Sequence, residues 1–192
     1  MGHQKFDINK LEKLNDPGRF DTLKTDAMWE ALGAPDPRII VEIGAGTGMF
    51  AEAFTRLAKD AKVYAVDTES LMVEWMHAHR PEVSAGRIVP VLSHETKVPL
   101  NDAMADLVVM INVHHELAEP EATYLEAWRL LSPGGQLLAV DWAPIDTPRG
   151  PSQAIRISAE DAAVFFTDAG FTGVLTHDTL PWHWMVTGVK PA

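Results

Sequence analysis

Three glycines at alternate positions, Gly44, Gly46 and Gly48, separate an apolar run from an amphipathic one. The run Ile39–Ile43 is β-rich and broken only by Glu42, while Phe50, Ala53, Phe54, Leu57 and Ala58 fall on one face of a helix. A glycine turn between a buried strand and a helix lets a ligand approach the backbone, because no Cβ blocks it. The open amides at the helix start favour polar or anionic groups. A second acid, Asp67, ends another apolar run 19 residues beyond Gly48. An acid there can take both hydroxyls of a ribose, or cap the helix that follows. A third group is Asn112-Val113-His114-His115, just past the apolar stretch Asp106–Ile111. A histidine near its unperturbed pKa of about 6.5 can act as a base at neutral pH. The two histidines are adjacent, so they point to different sides and one at most reaches a cleft. The alternative for either is a structural one, capping the next helix or fixing the loop.

The elements that must position these residues follow in chain order. Residues 5–14 place Phe6, Ile8, Leu11 and Leu14 among charges, and Asp16-Pro17-Gly18 signals a turn. A helix is predicted over Thr22–Leu32, with Gly33 at its C-cap. Strands are predicted at Ile39–Ile43, Lys62–Asp67, Arg87–Leu92, Asp106–Ile111 and Gln136–Val140, with Ser132–Gly135 as a turn. Helical faces are read after the first strand, at Leu71 to Met76, at Ala118 to Leu131 and at Ala162 to Ala169. Ser158 with Asp161 has the spacing of a capping box. Two last apolar runs, Phe171–Thr176 and Trp182–Val189, read as an antiparallel pair. The fold class expected is α/β, a doubly wound, seven-stranded, mostly parallel sheet with an antiparallel last strand. Ligands in such sheets bind beyond the C-terminal strand ends. Residues 1–36 are expected to form a helical arm or cap, and residues 37–192 the core of one domain. The segment Phe6–Phe20 either packs passively or closes over the site.

The glycines run G-x-G-x-G rather than G-x-G-x-x-G, with Glu42 two residues ahead. This resembles the first motif of class I S-adenosylmethionine (SAM)-dependent methyltransferases, E/D-x-G-x-G-x-G. The stretch R-L-L-S-P-G-G-Q-L-L-A-V-D, from Arg129 to Asp141, is similar to the corresponding segment of small-molecule methyltransferases of the quinone-biosynthesis type. Asp16-Pro17-x-Arg19 also resembles a subgroup of uncharacterised bacterial methyltransferases. The resemblance implies a Rossmann-like fold and SAM as cofactor. It puts the loop Gly44, Ala45, Gly46 and Gly48 under the methionine part, Glu42 near its amino group, and Asp67 on the ribose. Thr68, in the first turn after Asp67, then lies against the adenosine. The adenine contact expected after the third strand falls on His94 or Glu95, where the family often has Gly-Asp-Ala. Asn112 lies at both the cofactor and the acceptor. By resemblance to a V-L-H-H pattern, His115 is favoured over His114 as a catalytic base, needed only if the acceptor loses a proton.

Composition narrows the partners. The chain has 192 residues, no cysteine and a formal net charge of −11. Thiolate catalysis and thiolate metal sites are excluded, arsenite methylation through cysteines with them. No metal site is expected: His77-x-His79 and His114-His115-Glu116 do not form a H-E-x-x-H motif. An acidic surface disfavours nucleic acid as partner. No apolar run approaches the roughly 20 residues of a membrane span, no secretory signal is visible, and a cytoplasmic location is the default. The expected partner is a small-molecule methyl acceptor. The runner-up activities are a nicotinamide-dependent oxidoreductase, which lacks a Tyr-x-x-x-Lys here, and a SAM-binding module without turnover.

Overall fold

The computed structural model describes residues 8–192; residues 1–7, with Phe6 of the expected arm, lie outside the described residues. Seven strands form one sheet in the order β3-β2-β1-β4-β5-β7-β6. They are β1 (Ile39–Ile43), β2 (Lys62–Asp67), β3 (Ile88–Leu92), β4 (Ala105–Ile111), β5 (Leu131–Trp142), β6 (Thr172–His177) and β7 (His183–Val189). Strands β1 to β5 pair in parallel, and β7 runs antiparallel to both β5 and β6. This is the doubly wound α/β sheet with an antiparallel last strand that the sequence pattern predicts.

Alternation along β1 divides the core. Ile40 packs on one face with Met28, Phe50, Phe54 and Met76, from helices α2 (Thr25–Ala31), α3 (Met49–Leu57) and α4 (Ser70–His79). Val41 and Ile43 pack on the other with Tyr124, Leu130 and Phe166, from α6 (Pro120–Leu130) and α7 (Ala159–Asp168). Both faces of the central strands are therefore apolar, as parallel strands require. Each such side chain contributes roughly 1.5–3 kcal/mol by leaving water. The remaining helices are α1 (Ile8–Leu14) and the single turn α5 (Pro81–Ser84).

Two boundaries differ from the sequence reading. The helix predicted from Thr22 begins at Thr25, because Asp16 accepts from the Gly18 amide at 2.9 Å and starts a 3-10 turn over Pro17–Asp21. The turn predicted at Ser132–Gly135 belongs to β5, which starts at Leu131 opposite Ala105 and shifts register before Leu107 pairs with Gln136. The capping box of Ser158 and Asp161 forms as expected at the start of α7.

The chain runs outward from β1 through β2 to β3, then returns to β4 on the other side of β1. The connections diverge there, and a crevice opens beyond the ends of β1 and β4. Gly44 and Asn112 stand at its lip.

Candidate functional site

A cavity of about 460 Å³ fills that crevice, and its walls come from every loop at the C-terminal ends of β1 to β4. Glu42, Gly44, Ala45 and Gly46 form one side, and Asp67 and Thr68 the next. Ser93 and Glu95 follow, then Asn112, Val113, Glu116 and Leu117. The N-terminal segment closes the remaining side with Leu14 and Arg19.

The glycine turn explains its own residue choice. Gly44 has φ of 72° and a Cβ there would lie 1.9 Å from Val113 Cγ2, so the two loops pack with no room for a side chain. Gly46 has φ of 55°, yet its Cβ would meet only Leu14 at 3.7 Å. That position is open toward the cavity and covered by the arm alone. The Gly46 amide donates to Asp67 Oδ2 at 2.7 Å, and the Glu69 amide to Oδ1 at 2.9 Å. Burial pushes the Asp67 carboxyl above its usual value while these amides oppose the shift. Each carboxylate oxygen keeps capacity for a further donor. Gly48, at φ of 71°, starts α3 and does not line the cavity; it packs against Met76.

Glu42 is the electrostatic anomaly. It is 1% exposed, its Oε2 has no hydrogen-bond partner among the described residues, and burial raises its pKa to about 8. Arg19 and the Ala51 amide pull the other way without restoring an ordinary value. A buried carboxylate left short of partners is costly unless something else supplies them. Asn112 is a second anomaly. Its φ is 56°, which is uncommon outside glycine, and its Oδ1 is buried without a partner among the described residues.

The loop after β3 resolves the adjacent pair His94 and Glu95. His94 pairs by its backbone with Lys97 and does not line the cavity. Glu95 does, and its Oε1 accepts from the Ala118 and Glu119 amides at 2.8 Å each. Arg129 braces the same loop, donating to the Val98 and Leu100 carbonyls, to Glu126 and to Asp102.

The two histidines also separate. His114 lies in an aromatic cage of Tyr124, Phe165 and Trp184, with Nδ1 3.2 Å from the Tyr124 hydroxyl; burial lowers its pKa. It does not line the cavity. His115 turns the other way, and its Nδ1 is 2.8 and 3.0 Å from the two oxygens of Asp141, at the end of β5. Asp141 is buried and also accepts from the Trp142 amide at 2.6 Å. In the tautomer that carries its proton on Nδ1, that proton is directed at the carboxylate, and Nε2 lies 3.9 Å from Glu116 Oε1. His115 itself is set beside the cavity rather than in its wall, while Asn112, Val113, Glu116 and Leu117 around it are in the wall.

Sequence reasoning assigned no role to several residues of this region. Arg19 was visible only as the end of a D-P-x-R turn. Asp141 stood at a strand end with no assigned partner. His183 sits at the first position of β7, 3% exposed, with its ring 4.2 Å from that of Trp142. Neither ring nitrogen has a partner among the described residues, and burial lowers its pKa to about 4.

Comparison with known proteins decides the family. A family model described as a methyltransferase domain matches residues 41–139. The chain belongs to the class I SAM-dependent methyltransferases. Membership places it with methyltransferases rather than with nicotinamide-dependent oxidoreductases. The structure of a SAM-dependent methyltransferase from Aquifex aeolicus superposes with a TM-score of 0.87 at 25% identity, covering 96% of this chain and 99% of that one. A malonyl-[acyl-carrier protein] O-methyltransferase from Hahella chejuensis is 32% identical over 102 residues, 53% of this chain and 36% of the relative. The ubiquinone/menaquinone biosynthesis C-methyltransferase UbiE of Dinoroseobacter shibae is 24% identical over 144 residues, 73% of this chain and 57% of the relative. The chain thus spans between about a third and just over half the length of these two curated methyltransferases.

Proposed function

We propose that this methyltransferase-family chain transfers a methyl group from SAM to a small-molecule acceptor. The observation that carries the reading is the buried, under-partnered carboxylate of Glu42, set in one cavity with the open Gly46 turn and Asp67. These residues fit the cofactor by their chemistry. Glu42 offers an anion to the ammonium, Gly44, Ala45 and Gly46 offer a backbone floor without side-chain obstruction, and Asp67 offers oxygens to the ribose. Thr68, Glu95 and the loop at Leu117 enclose the adenine end. Asn112 offers its unpaired Oδ1 near the amino-acid end. When bound, SAM supplies an electrophilic methyl on a sulfonium.

The chain's own task is then to hold a nucleophile about 3 Å from that methyl and to exclude water. His115 is assigned the role of base for an acceptor that loses a proton, supported by the Asp141 contact that fixes its tautomer. His114 is assigned to packing. The described part of the 1–36 segment, residues 8–36, is read as a cap over the core at 37–192, supported by Leu14 and Arg19 in the cavity wall. The two curated relatives act on a carrier-borne malonyl group and in quinone biosynthesis. The net charge of −11 speaks against nucleic acid. Among the described residues no helix is long and apolar enough to cross a membrane. A cytoplasmic location completes the reading, in keeping with a chain that has no cysteine for disulfides.

The test is transfer of an isotopically labelled methyl from SAM to a panel of phenols, quinols, carboxylic acids and malonyl thioesters, followed by mass spectrometry. A labelled acceptor with matching S-adenosylhomocysteine formation is expected. Tight SAM binding with no transfer to the panel or to cell-extract metabolites would favour a binding module instead.

A further inference from the structure

His183 is a buried polar side chain that the fold leaves unsatisfied. It is 3% exposed, and neither ring nitrogen has a hydrogen-bond partner among the described residues. Burial keeps the imidazole neutral at ordinary pH. A neutral imidazole has one N–H to donate and one lone pair to offer, and leaving both unmet is costly. Strand alternation shows where the ring points. His183 and Met185 lie two apart on β7 and share a face, and Met185 belongs to the cluster that holds Leu23 and Met28 of the N-terminal arm. Across the sheet His183 pairs with Trp142 of β5, and the two rings are 4.2 Å apart. The imidazole therefore faces the side of the sheet that the arm covers.

Three guanidiniums gather around it. Arg19, Arg149 and Arg156 each act on the His183 charge, in a chain whose net charge is −11. Arg156 is engaged by its own loop, donating to the Ala143, Ile145 and Pro151 carbonyls. Arg149 is half-exposed. It donates one hydrogen bond among the described residues, to the Gly18 carbonyl at 3.1 Å, and its Cζ lies 5.3 Å from the centroid of the Trp182 ring. Asp16, 3.6 Å from Arg149, and Asp141 offset two of the three positive charges. A single positive charge is left beside an imidazole without partners.

We propose that His183 and Arg149 hold a carboxylate of the methyl acceptor, so that the substrate class is a carboxylate-bearing small molecule. The proposal rests on the methyltransferase reading above. The imidazole N–H and the remaining guanidinium donors suit the two oxygens of one carboxylate, and the single residual charge suits a monoanion. The arm and the loop after β5 meet at the Arg149 contact with Gly18, so the carboxylate takes Arg149 over from the arm. Asn112 follows β4, and β7 lies two strands further along the sheet, roughly 10 Å away at about 4.8 Å per strand. An acceptor of about that length reaches from the carboxylate site to the methyl.

The experiment is calorimetry in saturating S-adenosylhomocysteine with two matched pairs, 4-hydroxycinnamate and 4-hydroxybenzoate, each against its amide. At least one acid should bind about tenfold or more tightly than its amide. Arg149→Gln and His183→Leu should each remove that preference while leaving the amide within about twofold. Unchanged S-adenosylhomocysteine affinity in both variants controls for folding. Acids that bind no better than their amides, or not at all, would overturn the proposal. A preference that survives in both variants would overturn it too, placing the carboxylate elsewhere. Failure of S-adenosylhomocysteine to bind the wild-type protein would instead overturn the cofactor reading, and with it the assignment of this carboxylate to a methyl acceptor.

Discussion

Replacing Glu42 by glutamine should stabilise the ligand-free protein and cripple cofactor binding. Glu42 ionises with a pKa of about 8 in the fold, against 4.5 for the ordinary side chain. Between these values the folded state holds a proton that the unfolded chain has lost, so stability falls as pH rises through the window. At 1.36 kcal/mol per tenfold change, the cost is about 3 kcal/mol at pH 7 and about 5 above pH 8. Glutamine does not ionise, but it buries an amide that itself lacks partners, returning roughly 1–3 kcal/mol of the gain. The net stabilisation of Glu42→Gln is therefore about 2–4 kcal/mol above pH 8, and it turns into a destabilisation of about 1–3 kcal/mol by pH 4, where only the amide's burial is left. Urea unfolding of both proteins at pH 4.5 and 8 measures it. A bound ammonium favours the charged form, so wild-type affinity for S-adenosylhomocysteine should rise about tenfold per pH unit below 8, with close to one proton released at pH 7. Glu42→Gln should bind weakly and without that pH dependence. A variant less stable than wild type by the same amount at both pH values would refute the reasoning. Glu42 would then be an ordinary, well-paired structural anion.

Other substitutions separate the roles of neighbouring residues. Gly46→Ala should cost about 1–2 kcal/mol for a side chain in the left-handed region and lower S-adenosylhomocysteine affinity at least about tenfold, by calorimetry. Gly44→Ala should instead destabilise the fold severely, because its Cβ would sit 1.9 Å from Val113, and thermal melting reads this. With an acceptor in hand, His115→Ala should lower turnover by about 10² to 10⁴ and Asp141→Asn should follow it, both with SAM affinity unchanged. Wild-type turnover in His115→Ala would mean that positioning alone suffices. His183 has its pKa depressed to about 4, so wild-type stability should fall by about 3 kcal/mol as pH drops from 6.5 to 4. His183→Leu should lose that component. A stability difference between the two proteins that is flat with pH would contradict it.

What the sequence revealed follows from what local patterns carry. The glycine turn, Asp67 and the strand–helix alternation are properties of contiguous residues, and the structure brings Glu42, Gly44, Ala45, Gly46, Asp67, Thr68, Glu95 and Asn112 to one cavity. Adjacent residues competing for one direction were not separable that way. Glu95 rather than His94 lines the cavity because His94 is drawn into a backbone bridge with Lys97. His115 rather than His114 reaches a carboxylate because Tyr124, Phe165 and Trp184 enclose the other ring. Long-range pairings were invisible. Arg19 shares the cavity wall with Glu42, and His183 meets Trp142 through the β5–β7 register. The early start of β5 was hidden because Ser132-Pro133-Gly134-Gly135 has turn composition, and only the pairing of Leu131 with Ala105 overrides it.

The central claim is that the cavity beyond β1 and β4 binds SAM through Glu42 and Asp67. Calorimetric titration of the purified protein with S-adenosylhomocysteine, alongside NADH, tests it most directly. One site for S-adenosylhomocysteine, weakened by about 1.5–3 kcal/mol in Asp67→Ala, with no binding of NADH, is the expected result. Tight NADH binding with none for S-adenosylhomocysteine would contradict it.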